Sequence, residues 1–243
     1  MAQKRATQSA PTRQSAAEVL ARLERMGSEK IRLGMARFAI PSDNAFGISV
    51  GDLRKFAKSI GRDHELAQQL WQTPNYEAHM IAIFIDDPQL VTAQQMNRWC
   101  GEFDSWAICD TACFHLFSKT AHAWKMIPQW AKRKPEFERR AAFAQLASMC
   151  VHDKAATDEP FAQSLALIVK HASDSRNFVK KAVNWALRCI GKRNSRLLAL
   201  ATATAESLAS SDDPTARWIG KDALREFQKP NIIARIKKRT KKA

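Results

Sequence analysis

A recurring helix-start signal constrains this chain more than any other feature. Ser15-Ala16-Ala17-Glu18 is a capping box that opens the run AAEVLARLERM, and Gly27 closes it. Ser49-Val50-Gly51-Asp52 has the same form ahead of LRKFAKSI and Gly61, as has Thr92-Ala93-Gln94-Gln95 ahead of MNRWCGEF. Asp213 and Pro214 make an N-cap and first-turn pair for TARWIGKDALREF. Between these, the residues read as helices near 28–39, 63–72, 75–86, 105–118, 121–132, 135–151, 158–172, 176–191 and 195–209, with the 8 glycines and 9 prolines falling between periodic stretches. No alternating strand pattern stands out. The one β-like run, MIAIFI at 80–85, is flanked by PNYEAH and DDP, which places it as a buried helix. Successive helices with short connections predict an all-α superhelical stack. In such an α-solenoid, helix pairs cover each other's apolar faces and curve to leave a concave binding surface. A plain helical bundle is the other arrangement this rhythm allows.

The chain has 243 residues, 45% of them hydrophobic and 26% charged, a balance that supports a core and excludes wholesale disorder. No run approaches the ~18 apolar residues of a membrane span. The N-terminal MAQKRATQSAPTRQS carries basic residues but no apolar secretory core. A soluble, cytoplasmic protein with no membrane partner is expected. Its net charge of +15 points to a polyanion, chiefly nucleic acid. That charge is unevenly spread. Residues 1–15, a basic and flexible N-terminus, carry +3; the basic C-terminal tail at 229–243 carries +7; a single helical domain at 16–228 keeps about +5. The ends read as solvated, disordered segments that add salt-sensitive attraction to phosphates.

Cys100, Cys109, Cys113, Cys150 and Cys189 form an odd set without a CxxC pair, and each sits among apolar residues. They read as core residues rather than as disulfides or zinc ligands. Cys109, Cys113 and His115 lie close together but lack a second ligand pair, and His64, His79, His115, His122 and His171 share no spacing. No metal and no cofactor are expected. His152 and Asp153 read as helix-end compensation and local hydrogen bonding.

Candidate chemistry begins at GEFDSWAICDTACFHLF. Trp106 and Asp110 stand four apart, on one face of a helix. An aromatic face beside a carboxylate suits a cation, through the ring quadrupole and through Coulomb attraction. The same two residues also fit a core tryptophan and a capping aspartate. Further on, PEFERRAAF holds Arg139 and Arg140, and NFVKKAVNWALRCIGKRNSR holds Lys180, Lys181, Trp185 and Arg188. Basic residues interleaved with tryptophan are what a phosphate backbone would need, and they also fit solvated faces balanced by Glu136, Glu138 and Asp174.

The stretches DLRKFAKSIGRDHELAQQLWQ, YEAHMIAIFIDDP, MNRWCGEFDSWAICDTAC, ERRAAFAQLASMCVHDK and RNFVKKAVNWALRCIGKRN resemble the AlkD-type DNA alkylation repair family, in order, from about Phe46 to about Ala209. The resemblance implies a superhelix of HEAT-like repeats with a concave basic face along double-stranded DNA. It also implies a monomer, and a monofunctional DNA glycosylase that hydrolyses the N-glycosidic bond of cationic N3- and N7-alkylated purines. The family's Trp-x-x-x-Asp pair falls on Trp106 and Asp110, its arginine on Arg140 with Arg139 beside it, and its second tryptophan on Trp185. Asp110, Trp106 and Trp185 would then be catalytic, and Arg140, Arg139, Lys180, Lys181 and Arg188 would hold DNA. The other reading is a HEAT-like protein without turnover that binds unusual or damaged DNA, or a protein-binding helical scaffold.

Overall fold

Helices begin where the cap signals lie in the computed structural model, which describes residues 14–240, with side chains as far as Ile236. Ser15 Oγ accepts from the Glu18 N–H while the Glu18 carboxylate accepts from the Ser15 N–H at 2.7 Å, completing a reciprocal box. The side chains of Ser49, Thr92 and Asp213 likewise accept from first-turn N–H groups, without the reciprocal bond. Among the described residues no helix is long and apolar enough to cross a membrane.

The chain divides into two compact units after Asp86. The first holds α1 (Ala16–Met26), α2 (Glu29–Met35), α3 (Val50–Ile60), α4 (His64–Trp71) and α5 (Tyr76–Ile85). The β-like run is indeed helical. α5 packs against α1, α3 and α4, so Ala78 and Met80 through Ile83 are buried all round and a one-sided apolar stripe is absent. The helix read at 28–39 is shorter: α2 stops at Met35 and a 3₁₀ turn at 36–38 ends on Ala39 in the left-handed region.

The carboxylate of Glu77 is fully buried and accepts from the N–H groups of Phe46, Gly47 and Ile48, at 2.9, 2.8 and 3.2 Å. It satisfies backbone donors that the 45–49 loop cannot pair within itself. Gly47 adopts φ +84°, and a Cβ there would stand 2.3 Å from the Ser28 carbonyl oxygen, so only glycine fits.

The second unit holds α6 (Ala93–Gly101), α7 (Trp106–His115), α8 (Ala123–Ala131), α9 (Glu136–His152), α10 (Glu159–Lys170), α11 (Asn177–Gly191), α12 (Ser195–Ala209), α13 (Pro214–Phe227) and α14 (Pro230–Thr240). Helices α7, α9, α11 and α13 pack side by side in series, and α8, α10 and α12 lie against that row. The alanine-rich α9 touches α7, α8 and α11, and every residue from Arg140 to Cys150 is buried. At Gly220 the backbones of α13 and α12 approach so closely that a Cβ would lie 2.3 Å from the Ala209 nitrogen. Fully buried Trp99, Trp130, Phe117, Phe143 and Phe161 form the largest core side chains, each worth roughly 1.5–3 kcal/mol of burial.

Two expectations change here. Pro128 lies inside α8 rather than between helices, where it cannot donate to the Trp124 carbonyl one turn back. The basic 229–243 stretch is helical over 230–240, with Ile236 buried and α14 packed on α12 and α13. Of the charged ends, Lys4, Arg5, Arg13, Lys241 and Lys242 lie outside the described residues, as do the side chains of Lys237, Lys238 and Arg239.

All five cysteines are free and buried. The Cys109 and Cys113 thiols donate to the Phe137 and Ala141 carbonyls of α9, so they join helices rather than face a ligand. Burial pushes the Cys113 and Cys150 thiols well up, which leaves them unreactive. His152 Nδ1 lies 2.7 Å from Ser118 Oγ and Asp153 accepts from the Trp124 indole, contacts that reach 34 and 29 residues back along the chain, so the local bonding expected of that pair is limited to the Ala156 N–H donating to Asp153.

Candidate nucleic-acid interface

Helix α7 starts at Trp106 because the Ser105 side chain caps it, accepting from the Ile108 N–H. Four residues later Asp110 stands on the same face. The opposite faces of α7 carry Ala107, Ile108, Cys109, Ala112 and Cys113, all buried. Trp106 and Asp110 are instead half-buried.

Arg140 reaches Asp110 from α9. Its Nε donates to Oδ1 at 2.9 Å and its Nη2 to Oδ2 at 2.7 Å. A third donor, Nη1, meets the Phe178 carbonyl of α11 at 2.7 Å. The two side chains differ in depth. That of Arg140 is 7% exposed and that of Asp110 is 21% exposed, so the guanidinium stands behind and the carboxylate in front. Burial pushes the Asp110 carboxyl above its ordinary value, and the charge and hydrogen bonds of Arg140 oppose that push. Arginine stays protonated, so the fork keeps a charged partner on both carboxylate oxygens.

Phe178 leads to the second tryptophan. Trp185 lies seven residues on, two turns along the same face of α11, and is half-buried. The Phe137 and Phe178 rings pack 5.3 Å apart and close the α9–α11 joint below this face. Hydrogen bonds therefore run from α7 through Arg140 to α11, and they link the helices that carry Trp106, Asp110, Arg140 and Trp185. Neither Trp106 nor Trp185 is a core residue, unlike Trp71, Trp99 and Trp130.

The other basic residues part company. Arg139 turns away from Arg140 and donates to Asp174 at 2.8 Å, in a cleft lined also by Lys134, Lys170, His171 and Arg176. Asp174 is thus shared by Arg139 and Arg176, whose hydrogen bonds outweigh burial and hold its carboxyl at about 2. Arg188 donates to Glu226 of α13 at 2.6 Å, and Lys192 donates to the same carboxylate at 2.5 Å. Lys181 is exposed on the open face of α11, and Lys180 Nζ lies 4.9 Å from the Trp218 ring centroid. Of the five cations expected to hold DNA, Arg139, Arg140 and Arg188 are therefore ion-paired: Arg140 and Arg188 each find an acid on a neighbouring helix, and Arg139 finds Asp174 in the connection between α10 and α11. The expected basic groove reduces at these positions to Lys180 and Lys181.

Several participants were not evident in the sequence: the Phe178 carbonyl, Asp222 and Glu226. One signal could have found the last two. Asn184 and Asp222, like Arg188 and Glu226, stand 38 residues apart, close to the length of a two-helix repeat. Among the described residues no group of three His, Cys, Asp or Glu side chains could hold a metal ion.

Residues 19–227 match the family described as DNA alkylation repair enzyme. The fold is similar to a solved structure of a new family of proteins related to the HEAT-like repeat DNA glycosylases with affinity for branched DNA structures. The two share 20% identity, with a TM-score of 0.73 over 88% of this chain and 95% of that one. No curated protein matches the sequence significantly. With an all-helical fold of this kind and a family match across most of its length, the chain belongs to the DNA alkylation repair enzyme family.

Proposed function

We propose that this protein is a DNA glycosylase that removes cationic N3- and N7-alkylated purines from duplex DNA by hydrolysing the N-glycosidic bond. The observation that carries this reading is the Asp110 carboxylate, pinned at both oxygens by Arg140 and presented in front of it on the open face of α7. A purine alkylated at N3 or N7 is positively charged and leaves as a neutral base, so a general acid has little to do. The step that needs help is formation of an oxocarbenium-like sugar as the bond breaks. A carboxylate held against that sugar stabilises the cation and orients the attacking water. Because Arg140 fixes the carboxylate before DNA arrives, no reorganisation is needed at the moment of reaction.

Trp106, on the face of Asp110, and Trp185, on α11, would flank the deoxyribose and the backbone of the damaged nucleotide. Their ring faces favour positive charge. Arg140 acts as a positioning residue: three of its donors already hold Asp110 and the Phe178 carbonyl. Lys181 and Lys180 supply phosphate contacts. The lesion's own charge contributes selectivity, and a monomer suffices because all these residues come from one chain.

The test is release of 7-methylguanine or 3-methyladenine from methylated duplex DNA, with free base measured against the spontaneous rate. Release above that rate supports the reading. DNA binding with no release overturns it in favour of the second reading, a HEAT-like protein without turnover that recognises unusual DNA. That second reading draws its support from the similar solved structure, described as having affinity for branched DNA.

A further inference from the structure

Along the seam between α11 and α13, partners recur at one separation. Lys180 lies over Trp218, Asn184 donates to Asp222 at 2.7 Å, and Arg188 donates to Glu226 at 2.6 Å. Each pair is 38 residues apart, so the two helices run parallel and advance four residues per step. The first step differs in kind. Asn184 and Arg188 meet carboxylates, whereas Lys180 meets an indole. The ring attracts the ammonium through its quadrupole but leaves its charge uncompensated. Trp218 also stands apart from the other tryptophans. At 38% exposure it is the one tryptophan among the large exposed hydrophobic residues of the described chain.

Position on α11 places this pair beside the candidate site. Lys181 is exposed on the open face of the helix. Trp185, one turn from Lys181, shares the α9 side with Phe178, while Lys180 stands on the α13 side over Trp218. A surface with an exposed indole and a cation already seated on it fits a sugar–phosphate unit. The indole covers the C–H face of a deoxyribose and the ammonium meets the phosphate as a point charge.

We propose that Trp218 and Lys180 form a second backbone-binding station, one that holds a phosphodiester and its deoxyribose on a DNA strand beyond the nucleotide at Asp110. This rests on the reading above in taking duplex DNA as the ligand, but it does not require turnover. The station extends the footprint from α11 onto α13 and gives TARWIGKDALREF a role other than packing.

The experiment is binding of unmodified duplexes of graded length by fluorescence anisotropy, at two salt concentrations. Trp218→Ala weakens binding about tenfold, and Trp218→Phe recovers most of that loss because it restores a ring. Lys180→Gln reduces the salt slope by about one. Shortening the duplex past the station's phosphate lowers wild-type affinity in a step that Trp218→Ala lacks. Thermal melting identifies any variant that fails to fold, in which case Trp218→Leu replaces Trp218→Ala. A Trp218→Ala protein that binds within twofold of wild type, or that keeps the wild-type length step, overturns the proposal. So does a wild type that binds no duplex. Base release, measured separately on methylated DNA, tests the glycosylase reading: its absence alongside an intact length step removes catalysis and leaves the station standing.

Discussion

Arg140 and Asp110 stand 30 residues apart and meet through two parallel hydrogen bonds, at 2.9 and 2.7 Å, with the carboxylate the more exposed of the two. A pair of this kind costs desolvation on both sides, and breaking it leaves a buried charge. The proposed function rests on its orientation, with the guanidinium the more deeply buried partner and the carboxylate nearer the surface.

Substituting Asp110 by Asn keeps the shape and removes the charge. Base release should slow by about a hundredfold or more, while affinity for duplex DNA changes little. Single-turnover release and anisotropy, measured on the same preparation, separate the two effects.

Arg140→Lys replaces a fork by a point charge and loses one of the two bonds to Asp110. The proposed mechanism requires the ionised carboxylate, so release should rise with pH through the carboxyl pKa of Asp110. Burial places that pKa above the ordinary aspartate value, and Arg140 restrains the rise. With the restraint weakened, the acidic limb should move to higher pH. A pH–rate profile of the variant with an unmoved limb would show that Asp110 does not titrate in the rate-determining step.

Asp174 ties Arg139 and Arg176 together, with its carboxyl held at about 2. Its depressed value means that the stabilisation is fully present above the unfolded aspartate value near 4 and is lost as pH falls through about 2. Asp174→Asn should therefore melt below wild type at pH 7, and the two melting temperatures should converge in acid. A constant offset across that window would contradict the assignment.

The buried Glu77 holds three loop amides. Glu77→Gln offers one N–H group where an acceptor is needed, and should cost roughly 2 kcal/mol. Gly47→Ala should be at least as damaging, from the clash with the Ser28 carbonyl and from its positive φ. Hydrogen exchange at Phe46, Gly47 and Ile48 in the Glu77 variant should accelerate ahead of the α3 amides.

Much of the fold could be read from local signals. Ser15, Ser49, Thr92 and Asp213 announce helices because a cap acts within three residues of itself. The Trp106 and Asp110 pairing was legible for the same reason, since a helix places i and i+4 on one face. The boundary misread by the periodicity, at Met35, and the proline inside α8, Pro128, are places where packing tolerated a departure from local preference. The basic residues were the poorest guide. Arg139 and Arg140 are neighbours in sequence, yet a helix turns them about 100° apart, toward Asp174 and Asp110 respectively.

By itself, then, the sequence determined the helices, their order, the shared face of Trp106 and Asp110 and the resemblance to a repair family, because these depend on interactions within a turn or two of chain. Only the tertiary structure decided that Arg140 supports Asp110, that Arg188 is spent on Glu226, that Glu77 organises a loop 30 residues away, and that Lys180 lies over Trp218. Those relationships depend on which helices lie side by side and in what register. That is settled by the packing of buried faces such as that of α9, and no local pattern of charges records it.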